Sequence, residues 1–254
     1  DIPDVSGFLT SETDPSVPSG TRIGDMQYWN GTAWGVLIAT ENEGATLQMV
    51  GGVPTWVGGT PPLVPNVTNS TTGKIWMDRN LGASRAATSS TDEEAYGDLY
   101  QWGRGTDGHE KRTSATTTTL STSDTPGHGD FIIVSDEPRD WRSPQNDNLW
   151  QGVSGTNNPC PTGYRLPTEA EWQAERASWG SNNSAGAFAS PLMLPVAGYR
   201  DIGGGWFYSV GSNGLYWSSN VDVTNSRYLG FFSSGADMYS AYRADGLSVR
   251  CIKE

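Results

Sequence analysis

Groups able to attack, ligate metal or relay protons are scarce in this chain, and they sit apart in the sequence. It has two histidines, His109 and His128, and two cysteines, Cys160 and Cys251. Neither cysteine belongs to a CxxC pair, and both histidines fall in glycine-rich, loop-like segments, so a zinc site is not expected. For the cysteines two outcomes are open, a disulfide from a central loop to the last strand or a pair of buried thiols. No GxSxG elbow, phosphate loop or dinucleotide fingerprint occurs. The clustered carboxylates Asp92, Glu93 and Glu94, and the pair Glu169 and Glu171, fall where first turns of helices are expected, and there they complement the helix dipole. Asp140 and Asp147, with Asn146 and Asn148, read first as a solvated loop, and their oxygen ligands leave a structural calcium ion as the alternative. No other cofactor is expected. These residue types point away from an enzyme and toward binding.

Positioning elements can be read from periodicity. Thr168-Glu169-Ala170-Glu171 is a capping box after Pro167, and Trp172, Arg176 and Trp179 follow at helical spacing. Thr91-Asp92-Glu93-Glu94 has the same form and predicts a second helix carrying Ala95, Leu99 and Trp102 on one face. Between and after them are short apolar runs rich in Gly and Ser with scattered Trp, which predicts an α+β, loop-rich fold with short strands. Residues 1–63 read as a small β-rich module. There Asn30-Gly31 and Gly51-Gly52 mark hairpin turns within Gly24–Trp34 and Ala45–Trp56. Residues 64–72 continue a Gly/Pro/Ser/Thr/Asn-rich stretch and read as a linker. Residues 73–254 form the main domain, with a surface loop over 113–129.

Charge and hydropathy exclude several partners. With 16 basic and 28 acidic residues the net charge is −12, which repels phosphate backbones, so nucleic acid is not expected. No run of eighteen apolar residues is present, so no membrane span is expected. No charged-then-apolar stretch is visible after Asp1, so a signal peptide is not expected within these residues.

Five segments in order carry a family resemblance. They are Gly73–Gly82 (GKIWMDRNLG), Tyr96–Arg104 (YGDLYQWGR), Cys160–Thr168 (CPTGYRLPT), Tyr216–Ser219 (YWSS) and Gly246–Cys251 (GLSVRC). Together they resemble the Fibrobacter succinogenes major paralogous domain. That domain is related to the formylglycine-generating enzymes, and the resemblance implies their C-type-lectin-like fold over residues 73–254. The active cysteine pair of those enzymes has no counterpart at Cys160 or Cys251. An iron site built from histidines and a carboxylate, as in a related branch, is not expected from two loop histidines.

The C-terminal part is similar, in Ala197–Arg200, Val210–Gly214 and Arg243–Cys251, to the fixed parts of the variable region in diversity-generating retroelement proteins. In those systems an error-prone reverse transcriptase randomises a copied template at adenines. The resemblance implies a selected ligand-binding surface within about residues 200–246. Alternation supports it independently: in Arg227–Phe232, Leu229 and Phe231 read as core while Tyr228, Gly230 and Phe232 point the other way. Ala236 and Met238 alternate likewise with Asp237 and Tyr239, and Leu247–Cys251 reads as a fixed core strand. The expected contact set is Asp201, Ile202, Trp206, Phe207, Tyr208, Leu215, Val221, Asp222, Val223, Tyr228, Gly230, Phe232, Gly235, Asp237, Tyr239, Ser240, Ala241, Tyr242 and Asp245. Its Tyr, Ser, Gly and Asp content is that of a paratope. Trp217, Ser218, Ser219, Leu247, Val249 and Arg250 are the expected scaffold. The expected partner is a protein or glycan on a cell surface, bound from a virion tail or a bacterial cell surface. The N-terminal module resembles tail-fibre pieces that trimerise, which implies a homotrimer. A carbohydrate-binding lectin of fixed specificity is the alternative.

Overall fold

The computed structural model describes residues 25–30, 32–38, 45–58 and 64–254. The chain divides into two units, Asp1–Leu63 and Val64–Glu254. In the first, β1 (Met26–Trp29) pairs with β2 (Trp34–Leu37) and β3 (Thr46–Val50) with β4 (Val53–Val57), both antiparallel. Gly51 and Gly52 have φ of 58° and 84°, the two positive values of a two-residue turn that matches strand twist. In the first hairpin, Asn30 Oδ1 accepts the amides of Thr32 and Ala33; Gly24 and Gly31, placed in this hairpin by the sequence, lie outside the described residues, as does Asp1. None of the described side chains of this unit is buried.

The second unit is mixed α and β, built mostly of small antiparallel sheets with two helices. Its strands are β5 (Asn66–Thr68), β6 (Ile75–Met77), β7 (Tyr100–Gln101), β8 (Thr116–Thr117), β9 (Phe131–Ile132) and β10 (Tyr164–Arg165). Then come α1 (Glu169–Ala177), α2 (Ser184–Ala189), β11 (Tyr199–Arg200), β12 (Phe207–Tyr208), β13 (Gly214–Asp222), β14 (Asn225–Phe231), β15 (Ala236–Tyr242), β16 (Gly246–Leu247) and β17 (Ile252–Lys253). They form sheets ordered β10-β17-β6-β5, β12-β11-β16-β7 and β13-β14-β15, with β8 and β9 as a short parallel pair.

Indole N–H groups tie this loop-rich fold together. A buried Trp needs an acceptor for its one donor, and five find a backbone carbonyl. Trp141 donates to Trp102 O at 2.7 Å and Trp102 to Ser218 O at 2.9 Å. Trp172 donates to Trp217 O at 3.0 Å, Trp217 to Tyr100 O at 2.7 Å, and Trp150 to Asn157 O. The core forms three clusters: Trp76, Trp172, Tyr216, Leu229 and Phe231 beneath α1; Trp102, Trp150, Trp217, Leu247 and Val249; and Ile132, Trp141, Leu149 and Ile202. Cys160 and Cys251 form a disulfide with a Cα–Cα distance of 5.9 Å.

The helix over 169–177 has its full capping box: Thr168 Oγ1 accepts the Glu171 amide while Glu171 accepts the Thr168 amide. The helix expected after Thr91 does not form. A single 3₁₀ turn spans Glu93–Ala95, because the Asp92 carboxylate turns back to the Thr88 amide and hydroxyl and to Arg85 rather than capping forward. Gly97 then takes φ of 67° with its α-carbon so close to Leu81 O that a Cβ would lie 2.3 Å from it, and Tyr100 continues as strand.

Residues 64–72 are not a linker. Asn66–Thr68 form edge strand β5 against β6, and Asn69 just after it is buried, donating 2.6 Å to Glu175 Oε2 and 2.8 Å to Ser178 Oγ. The segment 247–251 is buried on both faces, Ser248 and Arg250 included, and only its first residue belongs to a regular ladder. The loop over 113–129 contributes β8. Among the described residues no helix is long and apolar enough to cross a membrane.

Candidate functional site

The sheet β13-β14-β15 presents two unlike faces because successive side chains alternate. Tyr216, Leu229, Phe231, Ala236 and Met238 pack with Trp172 of α1. On the other face Trp217, Tyr228 and Tyr239 are register partners across the three strands. Burial falls along that row: Trp217 is 0% exposed, Tyr228 half-buried and Tyr239 39% exposed. Their rings touch in sequence, Trp217 to Tyr228 at 6.2 Å edge-on and Tyr228 to Tyr239 at 5.7 Å. Phe232 adds a ring 5.8 Å from Tyr239.

A second pair, Tyr199 and Tyr208, stacks at 5.8 Å across β11 and β12. Tyr199 lies within electrostatic range of Tyr228 and of Asp245 and Asp201. Tyr199 and Tyr228 both pack, half-buried, against the cluster that holds Trp217 and Leu247. Burial first, then Tyr239, Asp245 and Tyr199, pushes the Tyr228 hydroxyl up to about 12, so it stays a neutral donor. Burial, with the charge of Asp201, outweighs the amides of Ile202 and Tyr242 and raises Asp245 to about 7.

The turn joining β11 to β12 is organised by Asp201. Its carboxylate accepts the amides of Gly203 at 2.7 Å, Gly204 at 3.3 Å and Trp206 at 2.8 Å. That turn thrusts Trp206 out to 65% exposure. Phe207, 39% exposed, faces the guanidinium of Arg200 at 5.4 Å and that of Arg112 at 5.7 Å. Val221 and Asp222 end β13, and Val223 lies in the β13–β14 turn. Val223 is 86% exposed with φ of 55°, an unusual backbone for a β-branched residue.

The remaining expected contact residues divide by role. Asp222 and Ser240 meet each other and Arg227, and Asp237 pairs with Arg176 at 2.8 Å. Tyr242 lies under Arg139, 4.6 Å from ring centre to guanidinium, and Ala241 and Gly235 are half-buried. Three residues do not belong to a contact surface. Ile202 packs with Trp141 and Leu149, and Leu215 with Trp217 and Leu247. Gly230 is buried beneath the rings, where a Cβ would come within 2.8 Å of Tyr239 and 3.1 Å of Tyr228. Residue type and the motif pattern put Leu215 in the contact set, and alternation put Gly230 on the outward face. Neither could show that the outward face is itself covered at β13. Tyr199, half-buried against the Trp217–Leu247 cluster and stacked on Tyr208, was missed from the expected set.

The oxygen-rich loop for which calcium was the alternative reading is closed by arginine. Arg243 Nη2 lies 2.6 Å from Asp147 and Nη1 3.7 Å from Asp140, which also accepts the Arg142 amide and Gln145 Nε2. The guanidinium supplies the positive charge a calcium ion would have supplied. Asp107, His109 and Glu110 also converge, and they are internally satisfied. His109 Nδ1 lies 2.6 Å from Asp107 Oδ1 while Nε2 accepts the Gln101 amide at 3.1 Å, so neither ring nitrogen has a lone pair to offer. Burial lowers this imidazole to about 4, keeping it neutral. Comparison with protein-family models, with curated proteins and with solved structures finds no match.

Proposed function

We propose that this is a ligand-binding protein, not an enzyme, whose C-terminal strands display a diversified contact surface on a C-type-lectin-like scaffold of the formylglycine-generating-enzyme type. The observation that carries the reading is the row Trp217–Tyr228–Tyr239, in which a single line of paired residues passes from full burial to solvent. A surface that must vary without unfolding needs that arrangement: one end locked by the indole lattice, the other free to change side chain. Large rigid aromatics at the free end, with Ser, Gly and Asp around them, give contact area at low entropic cost. Trp206, Phe207, Tyr208 and Tyr239 form exposed apolar surface of the kind that marks binding sites.

The diversification belongs to a retroelement of the type whose variable proteins this chain resembles, and the protein acts from a virion tail or a bacterial cell surface. Exposed apolar side chains on both N-terminal hairpins, among them Trp29, Leu47 and Met49, support assembly through that module into a homotrimer. Sequencing the gene and its flanking DNA in sibling isolates tests the reading. Changes should cluster at Trp206, Phe207, Tyr208, Tyr228, Phe232, Asp237 and Tyr239, beside a near-copy rich in adenine at those codons and a reverse-transcriptase gene. Substitutions spread evenly over the chain, with no near-copy, would leave a lectin of fixed specificity as the better account.

A further inference from the structure

Position 207 of the contact set lies against two guanidiniums that the fold holds in place. Phe207 and Arg200 are register partners across β11 and β12, and the Arg200 guanidinium is 5.4 Å from the Phe207 ring centre. Arg200 is buried, with Nε on Gly205 O at 2.9 Å, Nη1 on Ser114 Oγ at 2.6 Å and Nη2 on Ser114 O at 2.9 Å. Its second aromatic neighbour is Phe131, at 4.3 Å. Arg112, from the loop between β7 and β8, lies 5.7 Å from the Phe207 ring and 5.6 Å from that of Tyr96. Its Nε donates to Gly97 O at 2.9 Å and its Nη2 to Ala197 O at 3.0 Å. Among the described residues neither guanidinium forms an ion pair, unlike those of Arg165, Arg176, Arg227 and Arg243.

Backbone carbonyls orient these two cations but do not neutralise them, and a guanidinium keeps its charge whatever occupies position 207. The ring of Phe207 answers that charge through its quadrupole, while its exposed part adds to the contact surface. An aliphatic side chain of similar size would cover the guanidiniums without answering their charge, and a carboxylate would answer it directly. A small side chain would leave both cations uncovered. The way in for a ligand is already present, as a groove of about 740 Å³ lined by Phe207, Val210, Tyr96 and Arg112. Glu93, Glu94 and Asp98 also line the groove, and none of them is bonded to Arg112; Asp98 is paired with Lys111 at 2.7 Å. Arg112 therefore keeps N–H donors beyond the two that serve carbonyls.

Resting on the reading of 207 as a diversified contact position, we infer that Arg112 and Arg200 are fixed specificity determinants of the contact surface. They form a cationic socket that favours an aromatic or acidic side chain at 207, and a small side chain there opens a seat for a carboxylate of the ligand. One position thus switches the partner class, from apolar surface that covers the ring to an acidic group that replaces it.

The test uses the full chain, first with substitutions at 207 alone. Phe207→Tyr should melt within about 1 °C of wild type, whereas Phe207→Leu should melt about 2–4 °C lower. Phe207→Asp should melt about 2–4 °C above Phe207→Asn at neutral pH. The seat is probed with benzoate, whose ring fits the place that Phe207→Ala vacates and whose carboxylate meets the guanidiniums. By calorimetry Phe207→Ala should bind benzoate about tenfold or more tightly than neutral benzyl alcohol, and also than wild type binds benzoate. Adding Arg112→Gln, which keeps an amide donor for one carbonyl, should abolish the preference for benzoate. Equal melting of the tyrosine and leucine variants means that the ring only packs, and overturns the socket. Equal binding of benzoate and benzyl alcohol by Phe207→Ala, binding of neither, or benzoate bound as well by wild type, overturns the seat. These results leave the contact surface standing, because whether position 207 varies at all is decided by the isolates.

Discussion

Arg250 and Asn80 are separated by 170 residues of chain, and Arg250 donates from both Nε and Nη2 to the single oxygen Asn80 Oδ1, at 3.2 and 2.9 Å. Nη1 donates to Leu192 O at 2.8 Å and Met77 O at 3.3 Å. Asn80 completes the knot by donating to Tyr96 O and to Tyr216 Oη, at 3.0 and 3.1 Å. Residues from four of the five segments that carry the family resemblance therefore meet around one asparagine. The fifth is tied to them through Cys160–Cys251. Arg250 is fully buried with no carboxylate in contact, and burial lowers its pKa to about 10.

Replacing Arg250 should therefore be severe. Arg250→Met fills much of the volume but leaves Asn80 Oδ1 and Leu192 O without donors. Each orphaned buried acceptor costs about 1–3 kcal/mol, so a loss of about 3 kcal/mol or more is expected. Urea unfolding followed by tryptophan fluorescence measures it, and a loss under about 1 kcal/mol would mean that water replaces the guanidinium.

The disulfide closes a separation of 91 residues and anchors the C-terminal segment on which Arg250 lies. Closing a loop of that size restrains the unfolded chain by roughly 4 kcal/mol in the chain-entropy view. Cys160→Ser with Cys251→Ser should cost about 2–5 kcal/mol. Denaturation of the wild type with and without reductant should reproduce the difference, and coincident curves would sink the prediction.

Local signals in the sequence were legible where one short stretch decides the outcome. Thr168 and Glu171 need only each other to cap α1, and Gly51-Gly52 needs only its own backbone freedom to turn β3 into β4. Alternation in β14 correctly separated Leu229 and Phe231 from Tyr228. What could not be read depends on partners distant in the chain. Asp92 has the form of a cap but is recruited by Thr88 and Arg85, so the helix never starts. Residues 64–72 have linker composition, yet Asn69 finds a buried acceptor on Glu175. Leu215 was placed in the contact set by residue type and the motif pattern, but Leu247 and Trp217 cover it.

Two carboxyls should give opposite pH signatures. Burial pushes Glu171 up, but the bidentate Arg165 and the Thr168 amide pull it down to about 2. Its folded pKa lies below the unfolded value of about 4.3, so its contribution is present at neutral pH and lost as pH falls toward about 2. Asp245 is the reverse. The folded carboxyl keeps its proton up to about 7 while the unfolded one releases it near 4, so its contribution declines as pH rises between those values. Melting temperatures across pH should show Glu171→Gln destabilised at neutral pH and converging on wild type in acid. Asp245→Asn should match wild type near pH 4 and gain on it by about pH 8. Parallel curves for either variant would refute its assignment.

The contact surface and the core can be told apart by paired truncations on the two outer strands of one sheet. Tyr239 and Leu215 occupy the same face of one sheet, yet Tyr239 is 39% exposed on the edge strand and Leu215 is 7% exposed under Leu247. Leu215→Ala should cost about 2–5 kcal/mol, because the removed methyl groups leave a cavity in close-packed surroundings. Tyr239→Ala loses ring contacts with Tyr228 and Phe232 but opens no cavity, so about 1 kcal/mol or less is expected. Binding should respond in the opposite order. Tyr239→Ala, as an aromatic anchor, should weaken partner binding by about 2 kcal/mol, while Leu215→Ala should leave the affinity of the remaining folded protein nearly unchanged. Measuring both quantities on both variants separates a surface built for contact from a core that extends to the edge of the sheet. In the second case Tyr239→Ala would lower the melting temperature as much as Leu215→Ala and leave binding where it was.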